Sequence, residues 1–268
     1  FAFLSGLGET LQVSRNPVAE LQQVGRVPTM DDWTDPVLPF ASAGLFAPNM
    51  AEHARLWAVR EHSARGPMHG VEMEDASGIG FHRVFLTSQT RWDLYEEFVT
   101  RHQSPPEEAE VWCSPNHASG ARRRALMSDR IPWLRQRLTE KNPDVQRLPP
   151  RFPFRLFDAV ARAQLPVRTM VYANGHIHGA VWTPSTAAGG KAVWETTLRC
   201  YARGETELRL NRTAIGSTWL WRGPCTCCTE ARWSIEIADP SDCVRLAVLA
   251  GSENVESKWR AMLEALIA

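Results

Sequence analysis

The chain repeats itself. In the first half Leu56-Trp-Ala-Val-Arg60 is followed by a Gly/Pro-rich gap, then by Gly70-Val-Glu-Met-Glu-Asp75 and His82-Arg-Val-Phe-Leu86. In the second half Thr218-Trp-Leu-Trp-Arg222 is followed by a gap of Gly, Pro and Cys, then by Ser234-Ile-Glu-Ile-Ala-Asp239 and Val244-Arg-Leu-Ala-Val-Leu249. Trp57 matches Trp219 and Arg83 matches Arg245, both 162 residues on, and Asp75 matches Asp239, 164 residues on. Each run leads into a segment with an early Trp, Trp92 in one half and Trp259 in the other. A duplication of this kind requires both copies to form the same elements in the same order.

Within each copy Val71 and Met73 alternate with Glu72 and Glu74, and Ile235 and Ile237 alternate with Glu236. Period two predicts half-buried antiparallel strands. Asp75-Ala-Ser-Gly78 and Asp239-Pro-Ser-Asp242 are turn sequences, because Asp hydrogen-bonds its own backbone and Gly relaxes it. Val84–Leu86 and Leu246–Leu249 follow as strands. Trp92, Tyr95, Phe98, Val99 and His102 then share one helical face, as do Val255, Trp259, Met262, Leu263 and Leu266. Between the copies, 122–138 reads as a helix with Asp129 as N-cap. Pro149-Pro-Arg-Phe-Pro153 reads as a break and 154–165 as a short helix. The fold class is α+β: a tandem repeat with a first unit at 1–103, a helical connector at 104–165 and a second unit at 166–268, each repeat a large antiparallel sheet with flanking helices.

Composition narrows the function classes. Thirty Lys+Arg balance thirty Asp+Glu, and a chain that wraps nucleic acid normally carries a basic excess, so no nucleic acid is expected as partner. No stretch approaches the roughly 20 apolar residues that cross a bilayer, so no membrane insertion is expected. The first residues make a poor signal peptide, and the six Cys lack the spacing of a disulfide framework, which predicts a reduced, cytoplasmic protein. Eleven Trp against three Tyr fit a thick core, an interface such as that of a homodimer, or a pocket for a flat ligand.

Several residues have the chemistry of a site. His176 and His178 stand two apart on an expected strand, so both imidazoles project from one face toward a metal or a haem iron, with a third ligand still needed. Cys225, Cys227 and Cys228 put three thiols in four residues at an expected hairpin tip, a set suited to a soft metal or to redox exchange. His53, His62, His69 and His82 gather in the first repeat, where they and Glu72 and Glu74 read as solvent-facing. Cys113 with His117 matches no known catalytic geometry, and the basic run Arg122-Arg-Arg124 reads as a solvated helix face, with phosphate or propionate contact the lesser alternative. No nucleophile elbow, Walker loop or zinc-protease motif occurs, and no catalytic residue is named.

The order of motifs resembles the HemS/ChuS/PhuS family of cytoplasmic haem-handling proteins. Val13-Ser-Arg-Asn16 with Val18-Ala-Glu-Leu21, Gly78-Ile-Gly-Phe-His-Arg-Val-Phe-Leu86, Ala125-Leu-Met-Ser-Asp129, Val171-Tyr-Ala-Asn-Gly175, Ile215-Gly-Ser-Thr-Trp-Leu-Trp-Arg-Gly-Pro224, Ser234-Ile-Glu-Ile237 and Lys258-Trp-Arg260 each resemble a family segment, in family order. The resemblance implies haem binding, trafficking or degradation in iron acquisition, with haem between the halves. The family's axial His falls on Ile131, its distal Arg on Ala47, the Lys of its "RKP" segment on Gly223, and its propionate-side Tyr and Arg on Ala250 and Glu253. A Glu in place of a propionate-binding Arg repels the anion it should attract. The expected cofactor is therefore haem with atypical or lost ligation. The expected partner is haem or another flat small molecule, with Trp182 and Trp221 placed by the resemblance near the ligand cleft. The alternative is a diverged relative that binds a different small molecule, a soft metal through Cys225, Cys227 and Cys228, or a protein.

Overall fold

The computed structural model describes residues 2–27, 45–48, 53–63, 66–75, 80–103, 144–173, 176–185, 197–202, 206–224 and 231–268. The first repeat holds helix α1 (Ala2–Gly6), strands β1 (Gly8–Arg15), β2 (Ala19–Arg26), β3 (Leu45–Pro48), β4 (His53–Ser63), β5 (Gly66–Asp75) and β6 (Gly80–Thr90), and helix α2 (Trp92–His102). Strand β7 (Val145–Leu148) and helix α3 (Phe152–Ala163) lead into β8 (Val167–Ala173), β9 (His176–Trp182), β10 (Thr197–Ala202), β11 (Thr206–Asn211), β12 (Ser217–Pro224), β13 (Ala231–Ala238) and β14 (Val244–Ala250). Helix α4 (Glu256–Ile267) closes the chain.

These strands form two antiparallel seven-stranded sheets. The first runs β10-β11-β2-β1-β6-β5-β4 and the second β3-β9-β8-β14-β13-β12-β7. The α+β tandem repeat is thus present, and the inner order is the same in both sheets. Each repeat also lends to the other: β10 and β11 extend the first sheet through β2, and β3 extends the second through β9.

The register refines the match between halves. Trp57 lies opposite Glu72, and Trp219 lies opposite Glu236. Both sheets carry a β-bulge at the same place, between Met73 and Glu74 and between Ile237 and Ala238. Anchored on these bulges, His82 corresponds to Leu246, and Arg83 to Ala247 rather than to Arg245. A slip of two residues keeps every side chain on its own face, so alternation alone does not detect it.

The main core lies where α3 and α4 pack on the second sheet. Phe152, Leu156, Phe157 and Val160 of α3 and Trp259 and Leu263 of α4 join Leu220, Ile235, Ile237, Leu246 and Val248. Val18, Leu21, Leu208 and Leu210 of the first sheet belong to the same cluster, so the two sheets share one core. The Trp259 indole N–H donates to the Trp233 carbonyl at 2.8 Å and ties α4 to β13. Helix α3 starts at Phe152, two residues earlier than expected, because Pro153 sits in the first turn, where its missing N–H costs nothing. Trp92, expected on a packed helix face, is 41% exposed at the first position of α2. The expected helix at 122–138 lies outside the described residues.

Candidate functional site

Alternation gives each sheet an inward and an outward face, and chemistry appears on both. On the inward face His82 is 1% exposed and His178 0%. His82 stands on β6 of the first sheet and His178 on β9 of the second, and their rings meet edge to face with centroids 5.4 Å apart. Ser14 Oγ lies 2.6 Å from His82 Nδ1. Neither ring nitrogen of His178 has a hydrogen-bond partner among the described residues. Burial pushes the His178 pKa down to about 4, so the ring is neutral at neutral pH. Next to this contact, the Asn16 side-chain amide donates to the Tyr172 and Arg245 carbonyls at 2.9 and 2.8 Å, pinning the end of β1 to the second sheet.

The outward face of the first sheet bounds a cavity of about 1040 Å³. Leu11, Val13, Phe81 and Phe85 form its apolar floor, and Arg15, Glu20, Glu61, Glu72, Arg83 and Arg209 line it. Arg83 pairs with Glu61 and, at 2.9 Å, with Glu72; Arg209 pairs with Glu20 at 3.1 Å and Glu207 at 2.6 Å. Glu72 and Glu74, expected to face solvent, are 4% and 1% exposed. Burial raises the Glu72 pKa against the opposing pull of the Arg83 guanidinium.

On the second sheet the register puts Trp219, Trp221, Arg232, Glu236, Ala247, Leu249, Met170 and Tyr172 on the outward face. Met170, Tyr172, Val244, Ala247 and Leu249 make a small apolar cluster of their own. Arg232 lies opposite Gly223, and its guanidinium meets the Glu253 carboxylate at 2.8 Å. Gly223 and Glu253, two of the positions onto which the resemblance maps family ligands, therefore both neighbour Arg232. Ala47 is at the edge strand β3, opposite Ile177. Ala250 is buried on the inward face, opposite Val167.

The residues singled out in the sequence do not converge on one point. Trp182 is 5% exposed, donates its N–H to Thr169 Oγ1 at 3.0 Å and stacks on Phe157. Trp221 is half-buried on the opposite face of the second sheet. In the strand register His176 pairs with Ala173 of β8 and Pro48 of β3. Ile131, Cys225, Cys227, Cys228, Cys113 and His117 lie outside the described residues. Among the described residues no group of three or more His, Cys, Asp or Glu is arranged to hold a metal. The sequence reading missed His82: it is in phase with Val84 and Leu86, and that phase marks it as inward-facing.

No family model matches the chain, and no curated protein does. Solved structures do. Holo-PhuS, a haem-binding protein from Pseudomonas aeruginosa, superposes with a TM-score of 0.72 at 18% identity, over 98% of this chain and 82% of PhuS. ChuS, an E. coli haem oxygenase, superposes with a TM-score of 0.74 at 16% identity, over 100% of this chain and 85% of ChuS. The chain has the fold of PhuS and ChuS. That likeness extends over nearly the whole chain. No helix among the described residues is long and apolar enough to cross a membrane.

Proposed function

We propose that this chain is a cytoplasmic haem-utilisation protein that binds or carries haem with ligation unlike that of the HemS/ChuS/PhuS family. The observation that supports this most is the end-to-end fold likeness to a haem-binding protein and a haem oxygenase. The outward face of the second sheet suits the ligand. Met170, Tyr172, Ala247 and Leu249 make a buried apolar layer there, beside Trp221 as a half-buried flat ring and Arg232 as a cation for a carboxylate edge. Arg232 lies beside Gly223 and Glu253, onto which the resemblance maps the family's Lys and Arg, but it already carries Glu253, which weakens its pull on an anion. Ile131 offers no axial ligand.

Hemin titration followed by absorbance tests the reading. The expected result is saturable binding of one hemin per chain, with a broad Soret band rather than the sharp band of six-coordinate iron. Arg232→Ala weakens binding about fivefold, the scale of one charge contact already shared with Glu253. A sharp six-coordinate spectrum overturns the atypical ligation. Absence of saturable binding overturns the haem function and leaves the second reading, a different small molecule in the cavity of the first sheet, which rests on its apolar floor and its Arg and Glu walls.

A further inference from the structure

The inward contact between His82 and His178 has an internal control, because the duplication builds the same position twice. His82 lies opposite Met73 and Ser14, and its mate Leu246 lies opposite Ile237 and Val171. By the same register, His178, opposite Val171, has Leu21, opposite Ser14, as its mate. Leu21 and Leu246 are both 0% exposed and sit in one core cluster. The fold therefore packs leucine at both positions, and the histidines are not there to fill space.

His178 is costly where it stands. It is wholly buried, and both ring nitrogens lack a hydrogen-bond partner among the described residues, so their lost hydration is not recovered. Residues kept against local packing rules mark functional positions. The side chains opposite the two rings, Ser14 and Met73 for His82 and Val171 for His178, are uncharged. Met73, 2% exposed, faces His82 across the strand pair and brings a thioether to the same face. Ser14 and Val84 flank His82 and Val171 flanks His178, none of them with a carboxylate.

We propose that His82 and His178 hold a soft monovalent metal ion, Cu⁺, between the two halves, with Met73 as an additional thioether ligand. Imidazole and thioether suit Cu⁺. A divalent ion would bring charge into this interior with no carboxylate to balance it. Ser14 fixes the His82 ring through Nδ1, as outer-shell partners orient metal-binding imidazoles, which makes Nε2 the nitrogen that takes the metal. Two imidazole nitrogens about 2 Å from a shared ion put the ring centres roughly 6 Å apart. The observed separation of 5.4 Å is close to that, and the edge-to-face rings must turn so that a nitrogen of each faces the ion.

The test uses the full chain with Cys225→Ser, Cys227→Ser and Cys228→Ser, so that those thiols do not compete. Burial pushes the Cys200 thiol up to about 12, which keeps it protonated and a poor ligand. Under anaerobic reducing conditions, with a chromophoric Cu⁺ chelator as competitor, one Cu⁺ per chain is expected. X-ray absorption should show nitrogen ligands with one sulfur. His178→Leu and His82→Leu should each lower affinity at least tenfold, and Met73→Leu by less. Leucine is chosen because the duplicate uses it, and thermal melting confirms that each variant folds. Unchanged Cu⁺ affinity in a folded His178→Leu chain, or a sulfur-only shell, overturns the proposal. If that variant fails to fold, the ring ¹⁵N shifts of His82 and His178 in the parent chain decide. Movement of both on adding Cu⁺ supports the site, and no movement overturns it.

Discussion

His178 stays neutral because the folded chain has nothing to solvate its charge, and burial takes its pKa from 6.5 to about 4. The unfolded chain binds the proton below about pH 6.5 and the folded chain only below about pH 4. Stability from this residue is therefore complete above pH 6.5 and falls as the pH drops toward 4, by about 1.4 kcal/mol per pH unit. With metal stripped by chelator, urea unfolding of the parent and of His178→Leu at pH 7 and pH 4.5 should show the parent losing about 2–3 kcal/mol more than the variant. Parallel pH curves would refute it. The sequence showed His178 and its strand neighbour His176, but not His82, because their meeting joins strands of different sheets. The phase of His82 with Val84 and Leu86 was legible; the identity of the ring it meets was not.

At the scale of elements the strands were legible because period two survives in both copies. The turn after β13 was legible too. Asp239 Oδ1 accepts from the Ser241 and Cys243 amides, while Oδ2 takes two bonds from the buried Arg245 guanidinium at 2.7 Å. That ion pair explains why Asp239 and Arg245 appear together, and why matching Arg83 to Arg245 misplaced the register by two. Close approach between strands left a weaker trace. A Cβ on Gly70 would fall against the Val84 carbonyl and within 2.9 Å of Phe85 Cα, and the Gly70 carbonyl already accepts from the Tyr95 hydroxyl at 3.2 Å. Gly70→Ala must push β5 away from β6 and disturb the seat of α2. The expected cost is about 2–3 kcal/mol, in the range of overpacked cores, measured by chemical unfolding. A loss below roughly 0.5 kcal/mol, the level of a neutral surface change, would mean that the strands part freely.

The exchange of strands is a property of the whole molecule. Repeated motifs tell which strands exist but not which sheet edge receives them, so the division at 1–103, 104–165 and 166–268 does not reveal that β10 and β11 belong with β2. Ala19 and Leu21 are 3% and 0% exposed, and they pair with Leu210 and Leu208 from the far half of the chain. Deprived of that hairpin, residues 1–103 would present β2 as an open apolar edge, the condition that leads strands to associate. The shared core adds the same coupling, since Val18 and Leu21 pack in one cluster with α3 and α4. The full chain should therefore melt in one cooperative transition with calorimetric and van't Hoff enthalpies equal, the signature of two-state unfolding. The fragment 1–103 should be unfolded or aggregated under the same conditions, binding a hydrophobic dye without a sharp melt. Two separate transitions in the full chain, or a monomeric fragment with its own cooperative melt, would mean that the exchanged strands decorate two independent units rather than join them.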